Sequence, residues 1–190
     1  MSDAPGEPVA ADLDPALAAA VMEIEQHSSE AGWDQPARLY ALVETARLVE
    51  TEPALAASMG LAHDAGSDAL TPVEQDQLSA DQPLERVLET ISWPTGVAGC
   101  AAVVERLVLP PAADAELPED PARAEEYARE HPDRQEVRIV AGATRSGATY
   151  CALRLRAHDD DLSVVGGPDL VPGLLQLLTQ TLEDPGEDPQ

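Results

Sequence analysis

The stretch EVRIVAGATRSGATYCALRLRA, residues 136–157, constrains the fold more than any other, because its pattern fixes the register of a β-hairpin. Opposed residues in an antiparallel pair share a face. Bringing Val137, Ile139 and Ala141 together with Cys151, Leu153 and Leu155 therefore demands a loop of odd length. A three-residue loop of Arg145, Ser146 and Gly147 meets that demand, with Gly147 in the left-handed region that a residue without a Cβ adopts freely. Ile139 then stands opposite Leu153, Arg138 opposite Arg154, and Glu136 opposite Arg156. The second face of the hairpin carries three guanidinium groups against one carboxylate, and like charges set directly opposite one another repel.

This is a basic island in an acidic chain. Arg106, in the strand-like run CAAVVERLVL, is expected to extend it, so that Arg106, Arg138, Arg154 and Arg156 form the candidate binding set. Two readings stand. In one, the guanidinium forks recognise a carboxylate or phosphate bidentately, giving a site for an anion or an acidic peptide. In the other they pair internally, the ordinary fate of surface arginines where 36 acidic residues are available.

The same carboxylates limit what a partner can be. A net charge of −25 repels nucleic acid, whose phosphates need a concentrated basic surface to release counterions. All the basic residues are Arg, which with abundant Ala, Pro and Gly fits a high-GC coding bias; an acid-rich, Lys-free surface is also what a high-salt proteome produces. The N-terminus lacks the basic and apolar regions of a signal peptide, and no apolar run approaches the roughly 18 residues of a membrane span. A cytoplasmic protein without membrane insertion is expected. Cys100 and Cys151 lie in apolar runs and form no CxxC pair, so both read as reduced, buried thiols.

Length and patterning indicate one domain over residues 12–183, with Pro- and acid-rich tails at 1–11 and 184–190 that lack periodicity. Leu13, Leu17, Val21 and Ile24 form the apolar stripe of a first helix, with Glu23, Glu25 and Gln26 on its other face. GWDQP breaks it, and RLYALVE alternates as a half-buried strand. A helix capped by Thr45 follows, broken or kinked at Pro53 where Thr51 is the next cap, and residues 60–80 read as a polar connection. Leu84, Val87, Leu88 and Ile91 mark another helix, ended at Trp93-Pro94. After the CAAVVERLVL strand, DPARAEEYAREH reads as a polar surface helix with Asp120 as cap and Pro121 in its first turn. LSVV suggests a short strand, and a last helix is expected from Pro168 to Leu182.

Few residues carry chemistry. Cys100 would serve as a nucleophile only beside a base such as His131 or His158; followed by AAVV and lacking a Gly-rich turn into a helix, it reads as a small core residue. HDDD, residues 158–161, offers His158 and Asp159 to Asp161 to a divalent ion, but consecutive residues rarely converge on one metal, and a solvated turn is the simpler reading. GGPD, residues 166–169, reads as a turn and helix start, since Asp169 would repel a phosphate there. Trp33 and Trp93 each sit where a helix gives way to a strand, as fold anchors or exposed contacts. His27 and His63 stand alone in polar surroundings.

The strings GWDQPARLYALV, WPTGVAGCAAVVERLVLPP and VAGATRSGATYCALRLRAHDDD resemble a small acidic actinobacterial family of unassigned function, over about residues 31–161. The resemblance implies a shared fold and supplies no catalytic residue. In the order of elements alone the chain is also similar to small secretion-chaperone-like α+β proteins. The expectation is an α+β domain, a mainly antiparallel sheet of four or five strands with amphipathic helices packed on it. Its expected role is non-enzymatic: a binding or adaptor protein that meets an unidentified protein partner through the Arg-bearing sheet face or an exposed helix, with a homodimer left open and no cofactor. The alternatives are an enzyme using Cys100 or a His158/Asp159–Asp161 metal site, and a structural subunit of a larger assembly.

Overall fold

The computed structural model describes residues 13–61, 68–76, 78–79 and 81–183; the expected tails at 1–11 and 184–190, and His63, lie outside them. The elements run α1 (Pro15–Glu30), β1 (Arg38–Glu44), α2 (Thr45–Thr51), α3 (Pro53–Ser58), β2 (Leu70–Glu74), α4 (Leu84–Leu88), β3 (Gly99–Val108), α5 (Pro111–Asp114), α6 (Pro121–Glu130), β4 (Gln135–Thr144), β5 (Thr149–Leu155), β6 (Val165–Gly167) and α7 (Pro172–Leu182). Two single 3-10 turns, Arg156–His158 and Asp161–Ser163, lie between β5 and β6.

The expected hairpin register holds through the ladder, from Val137 opposite Leu155 to Ala143 opposite Thr149; Glu136 and Arg156 fall outside it, because Arg156 begins a 3-10 turn, and meet through their side chains. Ile139 pairs with Leu153 and Arg138 with Arg154, and Gly147 sits at φ +92° in the loop that joins β4 to β5. Around it the strands form one fully antiparallel sheet in the order β2-β1-β3-β4-β5-β6. The sheet has six strands where four or five were expected. The extra edge strand, β2, lies in the stretch that looked like a polar connection. Pro72 sits inside it, which the outer edge of a sheet tolerates because no ladder hydrogen bond is needed on that side.

Both faces of the sheet are covered. On one, Cys100, Ala102, Val104, Val137, Ile139, Ala141 and Cys151 pack beneath α4 and α7. On the other, Tyr40, Leu42, Ala101, Val103, Val140 and Ala152 pack beneath Leu17, Ala20, Val21 and Ile24 of α1. This double cover explains why β1 is buried without interruption from Leu39 to Leu42, where alternation had suggested a half-exposed strand. It also changes the face of the hairpin that carries the arginines, which is not an outer surface but the floor under α1.

Helix boundaries follow their capping chemistry. Asp14 accepts from the backbone N–H of Ala16 and Leu17, and Asp120 from that of Arg123, each with Pro at the first helical position. Thr45 is not a cap: it begins α2 and its hydroxyl meets Thr71 Oγ1 at 2.8 Å. Nor does Thr51 cap α3, since its hydroxyl donates to the Arg47 carbonyl. The break at Pro53 is present. α4 stops at Leu88, short of Ile91, and α7 begins at Pro172 rather than Pro168, because Val165–Gly167 form β6 and the chain turns after it. Gly166 leaves room for the Tyr150 hydroxyl, which a Cβ there would displace. Among the described residues no helix is long and apolar enough to cross a membrane.

α1 reaches the sheet closely because Gly142 lies under it. A Cβ on Gly142 would meet Val21 Cγ2 at 2.8 Å and Leu17 Cδ1 at 3.1 Å. Gly142→Val is expected to push α1 off the sheet and lower stability by about 1–3 kcal/mol, read as a reduced urea midpoint with an unchanged slope; a midpoint equal to wild type would show that α1 does not pack as described.

Candidate functional site

The rungs of the sheet beneath α1 run apolar through Tyr40, Ala101 and Val140 and then turn charged toward one end, where Glu105 pairs across to Arg138 and Arg138 to Arg154. Arg138 and Arg154 are 1% and 2% exposed, so their opposition is resolved inside the protein and not by solvent. A buried guanidinium is tolerated only where partners satisfy it, since desolvation costs several kcal/mol per ion.

The partners come from four directions. Glu25, on α1, reaches down to Arg154 with Oε1 at 2.5 Å from Nε and Oε2 at 3.0 Å from Nη2, a bidentate pair with both side chains 3% exposed. From the turn after β5, Asp161 accepts from Arg154 Nη2 at 2.8 Å and Asp159 from Nη1 at 3.2 Å. Glu105 on β3 accepts from Arg138 Nη2 at 3.1 Å, which also donates to the Gly32 carbonyl. The fourth direction is the loop after α1. Gly32 and Asp34 adopt φ +84° and +63°, which Gly takes freely and Asp tolerates, and this places Trp33 against the cluster. The Arg138 Cζ lies over the indole at 4.4 Å from the ring centroid and the Arg156 Cζ at 5.6 Å. Among the described residues Arg138 Nη1 is buried without a hydrogen-bond partner, and the electron-rich indole face compensates in part, a contact worth about 0.5–2 kcal/mol.

Two bridges close the network. Trp33 Nε1 donates to Asp159 Oδ2 at 2.9 Å, tying the loop after α1 to the turn after β5. Asp34 holds Arg156 through two bonds of 2.9 and 3.0 Å, its own N–H donates to Glu105 Oε2 at 2.8 Å, and Arg156 also reaches Glu136 at 2.5 Å. These contacts show in the titration of the carboxyls. The Trp33 hydrogen bond, with Arg154 beside it, holds Asp159 below its ordinary value, and the bonds from Arg156 do the same for Asp34. The Arg154 pKa is raised, mainly by Glu25, and that of Arg156 mainly by Asp34.

Of the candidate set, then, Arg138, Arg154 and Arg156 come together and Arg106 does not. Arg106 pairs across to Val137, so it lies on the opposite face, where it reaches Glu85 of α4. The residue that adjoins Arg138 from that strand is its neighbour Glu105. Sequence reasoning placed Glu25 on the outer face of the first helix, yet it stands four residues after Val21, in line with the apolar stripe. A carboxylate in line with Leu17 and Val21 was the available sign of a buried cation beneath. Leu13, assigned to the stripe, is 52% exposed.

The other candidates have structural surroundings. Cys100 is fully buried, its thiol within 3.6 Å of the Leu178 carbonyl and 3.5 Å of Thr181 Oγ1, and burial pushes its pKa up to about 11. Cys151 is buried and raised for the same reason. The carboxylates of HDDD diverge to separate partners. Asp159 and Asp161 turn inward to Arg154, while Asp160 accepts from the Leu162 N–H at 3.0 Å and the Ser163 hydroxyl at 2.7 Å. Among the described residues no group of three or more His, Cys, Asp or Glu is placed to hold a metal ion. Trp93 anchors the other core, donating to Thr181 Oγ1 at 3.1 Å. Arg145, expected in an open hairpin loop, donates to the carbonyls of Trp93, Pro94, Val97 and Leu182 and so fastens the hairpin to the entrance of β3 and the end of α7. Beside it lies a depression of about 680 Å³ whose lining mixes Arg47 with Asp14, Glu44 and Asp68, without convergence on one chemistry.

Arg154→Ala would leave Glu25 buried and unpaired, and a loss of about 3–5 kcal/mol is expected, whereas Arg154→Met with Glu25→Leu should recover most of it; both are read by urea unfolding, and equal losses in the two would contradict a buried pair. Acid should release Trp33. The depressed carboxyls of Asp34 and Asp159 contribute stability that is present above their unfolded value of 3.8 and lost as pH falls through the lower folded values. In a Trp93→Phe background the Trp33 emission should therefore hold steady down to the ordinary carboxyl range and change only below it; a transition near neutral pH would contradict the assignment.

No curated protein and no solved structure matches this chain. A family model described as PPA1309-like protein matches residues 17–183, from the first buried leucine of α1 to the end of α7. The match spans both helical layers and all six strands, including every member of the arginine cluster, and the chain belongs to the PPA1309-like protein family.

Proposed function

We propose that this protein is a non-enzymatic binding protein, and that it meets a protein partner at the corner where the loop after α1 and the turn after β5 are tied together. The observation that carries the reading is Leu162. Its side chain is 99% exposed, although the turn that bears it is held by Asp159, Asp160 and Asp161 through bonds to Trp33, Arg154 and the turn's own backbone. A large apolar side chain carried into solvent by a hydrogen-bonded turn is placed for contact, and little backbone entropy remains to be lost on binding. Trp33 and Arg156 are partly exposed at the same corner. Aromatic and Arg side chains of this kind are those on which binding energy concentrates.

The groups considered for catalysis support the same reading: the two thiols are buried in the core, Asp159 and Asp161 hold Arg154, and Asp160 shapes the turn through the Leu162 N–H and the Ser163 hydroxyl. Arg138 and Arg154 act on this corner from beneath, as its frame. Leu162 is thus the position at which contact can be removed without unfolding the protein. Leu162→Asp should leave unfolding free energy within about 0.5 kcal/mol of wild type while removing a protein that co-purifies with the wild-type chain from its native cells. An identical set of co-purifying proteins for the two chains would contradict this surface.

A further inference from the structure

The chemistry around Leu162 favours one kind of occupant, and we infer that this corner takes an extended, basic segment of a partner protein, added along β6 with small apolar side chains entering the groove beside α1. The inference rests on the binding role above and adds the nature of the partner. Its geometric basis is the edge of the sheet. Among the described residues β6 has β5 on one side only, so the outer N–H and C=O groups of Val165–Gly167 stand at an open edge, where an added strand pairs through its backbone. Alternate side chains of that strand point toward the α1 side.

On the α1 side they meet a groove of about 400 Å³ lined by Ala19, Met22, Glu23, Gln26, Asp161 and Val164, with Glu25 beneath and already paired to Arg154. Its apolar surface comes from Ala19, Met22 and Val164, and Met adapts to varied side chains. Its charged walls are Glu23 and Asp161, the latter with its side chain 81% exposed. Every arginine near the groove is engaged with carboxylates, so the field at its mouth is negative. A guanidinium or ammonium group flanking the inserted side chains finds Glu23 and Asp161 at hand. An acidic segment would be repelled, as would a second copy of a chain whose net charge is −25.

The test uses the full chain and three synthetic peptides in which Val and Leu alternate with Arg, with Ser or with Glu, titrated by calorimetry at low and moderate salt. The Arg peptide is expected to bind, to weaken as salt rises, and to lose about tenfold or more in affinity with Leu162→Asp or with Glu23→Arg, the loss typical of a central contact. Equal binding of the Ser or Glu peptide, still sensitive to Leu162→Asp, would overturn the basic partner while leaving the binding corner in place. Binding of the Arg peptide that ignores both substitutions would place it elsewhere on the acidic surface, and failure of all three peptides to bind would also overturn the inference. A wild-type dimer in sedimentation that Leu162→Asp dissociates would assign the corner to a second copy instead. The co-purification comparison above is independent of peptide charge, so the two readings fail separately.

Discussion

Two guanidinium groups lie side by side on adjacent strands beneath a helix, and most of the distinctive chemistry of this protein follows from having to satisfy them. Arg138 and Arg154 are paired across β4 and β5 and sealed by α1, where water supplies little of the compensation. Coulomb repulsion between them is relieved by carboxylates on every side: Glu25 above, Glu105 along the same rung, and Asp159 and Asp161 from the turn that follows β5. An ion pair so placed contributes little net stability compared with apolar residues of the same volume. Breaking it is costly, and that asymmetry enforces a specific arrangement.

The arrangement it enforces is at the surface. Asp159 joins Trp33 to Arg154, and Asp34 joins Arg156, through its carboxylate, to the Glu105 carboxylate, through its own N–H, so two loops distant in sequence become one corner. The turn of three aspartates looks, as a string, like a metal site or a solvated bend. In the fold it is the support on which Leu162 is displayed. A small-residue core makes this frame more valuable: with Ala101, Ala102, Ala141, Ala143 and Ala152 filling the sheet, large side chains that fix one packing are scarce, and charged contacts with defined geometry take over part of that work.

The sequence was most informative where a local rule had a single solution. The hairpin register followed from the shared face of opposed residues and the one glycine able to take a positive φ, and both appear in the structure. The Asp120 N-cap with its following proline was equally local. What could not be read was the cover on the second sheet face. A strand flanked by polar positions reads as half exposed, and nothing in RLYALVE or RIVAG announces that α1 lies across it. The arginines therefore looked like a surface when they were a floor, and Glu25 looked like solvent-facing charge. β2 was missed because Leu70–Glu74 is short and holds a proline, both features of an edge strand and of a loop alike. Arg106 was misplaced by one residue in a period-two element, enough to send it to the other face.

The central claim is that the Arg154–Glu25 pair holds both loops of the corner, and amide hydrogen exchange tests it most directly. In Arg154→Met with Glu25→Leu, a variant that leaves the net charge of the site unchanged, Asp159 and Asp161 lose their bonds to Arg154. The N–H groups of Asp34, Leu162 and Ser163, bonded to Glu105, Asp160 Oδ1 and the Asp160 carbonyl, should then exchange faster, while amides of β3 and β4 remain protected. Unchanged protection in both loops would mean that the pair does not hold the corner together.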